Sequence, residues 1–218
     1  MARRRVGAVI YPGWEMLDTF GPLEMYSVLG AEEVEICVVA EQSGPVPAAL
    51  GADGPLAPRV YADYGFADAP PLDIVVLPGG SGTFPALENA GMLDYLRQVA
   101  ETAEVVTSVC TGSALLAKAG LLDGLRATTN KQFFALARMQ SEQVDWVEEA
   151  RWVDAGKFIT SSGVSAGMDM TLAVIARLWG PELAEQAADY AEYSWHRDAD
   201  TDPFFKDLDK GSRQMGLV

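Results

Sequence analysis

Short β-branched runs alternate along this chain with longer stretches in which apolar residues recur every three or four positions. Residues 6–11, 34–39, 74–77 and 105–109 read as strands, and they are nearly continuous in apolar residues, as strands covered on both faces must be. Residues 15–29, 92–102, 111–119, 165–179 and 181–193 read as helices. This alternation predicts an α/β fold, with βαβ units building a mostly parallel central sheet and helices on both faces. Residues 146–153 and 157–160 predict a β-hairpin turned at Asp154-Ala155-Gly156. Between residues 42 and 69 the composition shifts to Gly, Pro and Ala, which predicts a connecting region with one short strand near Val60 and no linker between domains.

The chain has 218 residues and 49% hydrophobic content, enough for one substantial core, so a single domain over residues 1–218 is expected. The net charge of −15, from 31 acidic and 16 basic residues, speaks against nucleic acid and anionic membranes as partners. Arg3-Arg4-Arg5 runs directly into the apolar residues 6–11, a run too short for a signal sequence or a membrane span. The two cysteines, Cys37 and Cys110, form neither a dense disulfide pattern nor a Cys-x-x-Cys metal spacing. A reducing cytoplasm is the expected compartment.

Against this pattern Cys110 stands out, because it falls where a strand meets a helix. A cysteine there gains from the helix dipole, which favours thiolate, and from free N–H groups that can hold an oxyanion. The small or capping neighbours Thr111, Gly112 and Ser113 suit a tight turn with close backbone approach. Cys37, inside an apolar strand, is expected to be inert core. Pro78-Gly79-Gly80-Ser81-Gly82 follows a strand at the edge of the sheet where open α/β folds place ligands. It lacks the Gly-Lys-Ser/Thr ending of a phosphate loop and the full dinucleotide fingerprint, so nucleotide binding is not expected. Asp18 is an acid amid apolar residues that could exchange a proton with a thiol, and Glu15 and Glu24 are rivals that spacing alone does not eliminate. The single histidine, His196, lies far along the chain and is expected to be structural. Trp14, Phe84, Phe133 and Phe134 could frame a ligand pocket, but core packing is the plainer expectation.

Five ordered motifs carry a resemblance that covers nearly the whole chain. They are residues 18–22 (Asp-Thr-Phe-Gly-Pro), 77–80 (Leu-Pro-Gly-Gly), 108–112 (Ser-Val-Cys-Thr-Gly), 119–124 (Ala-Gly-Leu-Leu-Asp-Gly) with 127–129 (Ala-Thr-Thr), and 162–169 (Ser-Gly-Val-Ser-Ala-Gly-Met-Asp). Together they resemble the ThiJ/PfpI superfamily of glutamine-amidotransferase-like proteins, and within it the branch that includes isocyanide hydratases. The resemblance implies a flavodoxin-like three-layer sandwich, usually a homodimer, with the nucleophile at a strained strand-to-helix turn. It implies Cys110 as nucleophile, Asp18 as the acid that contacts it and shuttles a proton, and the N–H groups of Gly80 and Thr111 as an anion-stabilising pair. Many relatives place a histidine after the paired threonines, whereas this chain reads Thr128-Thr129-Asn130-Lys131, which weakens a glyoxalase or peptidase reading. Residues 193–204, from Tyr193 to Phe204, also depart from the proline-rich segment expected there, so pocket shape and substrate could differ. Some relatives carry a fused helix-turn-helix module, for which the residues before Val218 leave no room, so a DNA-binding regulator is not expected.

The leading expectation is a cysteine-dependent hydratase or hydrolase of a small electrophilic molecule, best described as isocyanide hydration to an N-formamide through a thioimidate on Cys110. No metal or other cofactor is expected. The alternatives are a non-catalytic oxidative-stress sensor using an exposed, low-pKa Cys110, a glyoxalase or amidase activity, and a dimeric binding module.

Overall fold

A computed structural model describes residues 3–48 and 58–218. The strands are β1 (Arg4–Val9), β2 (Val34–Ala40), β3 (Gly44–Pro47), β4 (Arg59–Ala62), β5 (Tyr64–Gly65), β6 (Ile74–Leu77), β7 (Val105–Ser108), β8 (Arg126–Ala127), β9 (Asp145–Trp146), β10 (Trp152–Ala155) and β11 (Phe158–Ser161). The helices are α1 (Met16–Ser27), α2 (Thr83–Ala86), α3 (Ala90–Thr102), α4 (Gly112–Lys118), α5 (Phe134–Arg138), α6 (Ala166–Trp179), α7 (Pro181–Tyr190) and α8 (Lys210–Gln214).

Seven strands form the central sheet in the order β10-β11-β7-β6-β1-β2-β5. The pairs from β11 to β5 are parallel, and β10 is an antiparallel edge strand. Alternation along the strands divides the core between the faces. Val9, Val75 and Leu77 join the side chains of α3 and α4, while Val6, Ala8, Ile10, Ile74 and Val76 join those of α1, α6 and α7. Both faces are therefore covered, as the unbroken apolar runs require.

The expected short strand near Val60 is β4, paired antiparallel with β3, which the proline-rich composition had hidden. The hairpin turn at Asp154-Ala155-Gly156 is present, but its first strand begins at Trp152 rather than 146. Residues 145–146 pair instead with β8, away from the main sheet. The helix expected to run to Tyr193 stops at Tyr190, and Glu192 takes a positive φ of 48° just beyond it. Trp14 and Phe134 are buried, and Phe84 and Phe133 pack against the core, so packing rather than a ligand explains these four rings.

Register places the future site. Leu77 of β6 and Thr160 of β11 both lie beside Ser108 of β7, so the chain leaving β7 is flanked by residues 78–82 on one side and 162–165 on the other. The loop after β1 joins the same edge, because the Glu15 N–H donates to Gly79 O at 2.8 Å and the Gly82 N–H to Gly13 O at 2.9 Å.

Candidate active site

Cys110 lies between β7 and α4 with φ of 58°, a left-handed conformation that an L-residue adopts only when its surroundings impose it. Hydrogen bonds on all sides do so here. Its N–H donates to Ser162 O at 3.1 Å, and its carbonyl accepts from Thr129 Oγ1 at 3.0 Å and Ser113 Oγ at 3.2 Å. Glycine permits the crowding. A Cβ on Gly79 would lie 2.5 Å from the Thr111 nitrogen and 3.0 Å from Cys110 Cβ, and one on Gly163 would lie 2.5 Å from Asn130 Nδ2.

The sulfur is cradled by donors. Asn130 Nδ2 lies 3.0 Å from Sγ, and its orientation is set because Asn130 Oδ1 accepts the Phe133 N–H at 3.0 Å. The N–H groups of Thr111 and Val164 also approach the sulfur. Val164 has φ of 45°, so a β-branched residue adjoining the sulfur is strained as well.

Of the three rival acids the fold selects Asp18, since Glu24 points to solvent and Glu15 is only half-buried. Asp18 lies in the first turn of α1, fully buried, with Oδ2 accepting the Gly79 N–H at 2.9 Å. Its other oxygen, Oδ1, is buried without a hydrogen-bond partner. Burial raises this carboxyl to about 7, the Glu15 charge adds to the rise, and the Gly79 N–H and the Cys110 thiol oppose it.

The thiol departs from the sequence expectation. Burial pushes Cys110 well above the usual cysteine range and the Asp18 charge pushes it further, against the Thr111, Asn130 and Val164 donors. Desolvation is the largest influence on this thiol, and it outweighs the three donors. The Gly80 N–H, expected as one of an anion-stabilising pair, is committed to Thr111 Oγ1 at 3.1 Å, whereas the Thr111 N–H is turned to the sulfur. A relay continues from Thr111 Oγ1 to Thr83 Oγ1 at 2.8 Å and from there to the Tyr11 hydroxyl at 3.0 Å.

A cleft of about 180 Å³ is bounded by Asn130, Lys131, Gln132, Gly163, Val164 and Phe204; Cys110 does not line it, but Asn130 and Val164, which contact the sulfur, form its inner wall. A larger hollow of about 310 Å³ lies between Pro12, Phe66, Pro85 and Met92, and holds none of the groups that touch the sulfur. Cys37 is buried in the core with its thiol raised to about 11, and His196 is exposed with its backbone N–H on Asp169 Oδ1, so neither belongs to the site. Among the described residues no three His, Cys, Asp or Glu side chains gather as metal ligands, and no helix is long and apolar enough to cross a membrane.

Sequence reasoning missed the Val164 N–H and left the role of Asn130 open. Both lie in segments already singled out, but only the tertiary structure, through the β11–β7 pairing for Val164 and the Asn130 Nδ2 contact with Sγ, shows that they converge on Cys110. Chemically, the arrangement sets a thiol beside a carboxyl raised to about 7, with N–H donors around the sulfur, a set of groups able to support nucleophilic and acid–base chemistry.

Known proteins are similar to this chain in sequence and in fold. The chain is 34% identical to an isonitrile hydratase of Pseudomonas putida, over 87% of this chain and 78% of that one. It is 30% identical to the HTH-type transcriptional regulator CdhR of Pseudomonas aeruginosa over 83% of this chain, which spans about half (52%) of that regulator. The crystal structure of a ThiJ/PfpI family protein from Pseudomonas syringae superposes with a TM-score of 0.78 at 30% identity, covering 100% of this chain and 87% of that one. The DJ-1/PfpI family matches residues 4–177, and this chain belongs to that family.

Proposed function

We propose that this protein is a cysteine-dependent hydratase of a small electrophilic substrate, and that the substrate is an isocyanide. The observation that carries the reading is the buried Asp18 carboxyl, with one unpaired oxygen and a pKa raised to about 7, beside the thiol of Cys110. A buried thiol is a weak nucleophile until a base takes its proton, and a carboxyl near neutrality can take it and return it.

The cycle then balances. Asp18 accepts the Cys110 proton as sulfur attacks the terminal isocyanide carbon. The same proton is delivered to that carbon, which gives the thioimidate R–N=CH–S–Cys110. Water adds to the carbon while its proton passes to nitrogen, and sulfur leaves with a proton returned to it, releasing R–NH–CHO. The donors around the sulfur stabilise charge as it develops there, and one water is consumed. Similarity to the isonitrile hydratase supports the choice of substrate.

The sensor alternative needs a populated thiolate, and burial holds Cys110 as a thiol. We also read the protein as a homodimer, since Met16, Leu17 and Phe20 expose apolar surface on α1 beside Asp18, which suits a second copy of this chain. Light scattering of the purified protein tests that assembly.

The function is tested by following N-formamide formation from alkyl isocyanides, with methylglyoxal and simple amides for comparison. Turnover by the wild type and its loss in Cys110→Ala are expected. Hydration by Cys110→Ala at the wild-type rate would rule out the mechanism.

A further inference from the structure

The segment from Tyr193 to Phe204, whose last residue lines the cleft next to Asn130 and Val164, is held in place by a buried ionic cluster. Asp169 is fully buried and accepts from Arg151 Nε at 2.7 Å, the Tyr193 hydroxyl at 3.0 Å and the His196 N–H at 2.9 Å. Arg151 also donates through its backbone N–H to Ala199 O at 2.7 Å, and its Nη1 lies 3.6 Å from Asp202 Oδ1. Asp202 Oδ1 in turn accepts the Phe204 N–H at 2.9 Å, while the Asp202 N–H donates to Glu149 O at 2.8 Å. Phe204 is thereby held at the cleft rim with half its surface open to solvent.

Three of the polar side chains that line the cleft are engaged elsewhere, and the exposed Gln132 is left at its rim. Lys131 Nζ donates to Thr128 Oγ1 at 2.8 Å and Ala150 O at 2.5 Å, both ends of the Asn130 amide are taken, and Ser165 Oγ accepts from Arg151 at 3.3 Å. A charged substituent would find no counter-ion there, whereas Phe204 and Val164 offer apolar contact. The volume of about 180 Å³ suits a ring, since a dry cavity of about 150 Å³ accommodates benzene.

We propose that Phe204 is a specificity-determining residue that packs against a neutral, ring-sized apolar substituent of the substrate while Cys110 attacks the reacting carbon. This rests on the cysteine chemistry proposed above, but its test does not require hydration. Cys110 is alkylated with iodoacetamide or N-phenyliodoacetamide; in both cases a C–S bond forms, iodide leaves and the thiol proton goes to solvent. Rates are followed by mass spectrometry with peptide mapping and normalised to those of free cysteine.

The wild type is expected to prefer the phenyl reagent by about tenfold, as one well-packed aromatic contact allows. Phe204→Ala should bring the ratio close to one, and Phe204→Trp should keep it. A ratio near one in the wild type, or an undiminished ratio in Phe204→Ala with a native circular dichroism spectrum, overturns the proposal. Comparing kcat/KM for cyclohexyl and methyl isocyanide separates the two readings. Ring preference in alkylation without hydration would sink the hydratase and keep the wall, and hydration without ring preference would do the reverse.

Discussion

Replacing Asp18 by Asn should stabilise the protein at alkaline pH while removing its activity. The wild-type carboxyl titrates at about 7 in the folded protein, against about 3.9 in an unfolded chain. The folded state thus holds a proton that the unfolded state has released, and wild-type stability falls as pH rises through this window. Linkage puts the loss at about 4 kcal/mol by pH 8, of which about 2.5 kcal/mol develops between pH 5 and pH 8. The amide introduced by Asp18→Asn cannot ionise, is nearly isosteric with the carboxyl, and keeps an oxygen to accept the Gly79 N–H that Asp18 accepts at 2.9 Å. Urea unfolding of both proteins at pH 5, 6, 7 and 8 should show the variant gaining on the wild type by about 2.5 kcal/mol across the series. A stability difference independent of pH would refute a carboxyl titrating near neutrality in the fold, and with it the proton carrier of the mechanism.

Three further outcomes follow from the same geometry. Val164→Gly should be more stable than Val164→Ala by about 1 kcal/mol in thermal unfolding, reversing the usual order, because φ of 45° at this position penalises any Cβ. Gly79→Ala drives a methyl to 2.5 Å from the Thr111 nitrogen, so it should lower kcat/KM by about a hundredfold through displacement of the cysteine turn, even where the variant folds. Asn130→Ala removes a donor at 3.0 Å from Sγ, so the pH midpoint for iodoacetamide alkylation of Cys110 should move upward, and an unmoved midpoint would show that the amide does not stabilise the thiolate.

Much of the architecture was legible because apolar periodicity reports burial directly. Val6, Ala8, Ile10, Ile74 and Val76 belong to one face of a covered sheet, and no ordering of these strands could leave them in water. Cys110 was legible for a related reason: small residues follow a strand where a tight turn must form. The start of β10 and the pairing of β3 with β4 were not, since strands of four residues are too short for their period to show, and β3 also carries Pro45 and Pro47.

Local sequence alone therefore determined the strands β1, β2, β6 and β7, the main helices and the place of Cys110 at a strand-to-helix turn. Tertiary structure decided which acid of α1 faces the sulfur, that Asn130 and the Val164 N–H converge on it, and that the Gly80 N–H is already committed. It also reversed the expected acidity of Cys110. Local sequence argues for a helix dipole that lowers the thiol pKa, whereas burial by residues distant in sequence raises it further, and desolvation depends on everything packed around a group rather than on its neighbours in the chain.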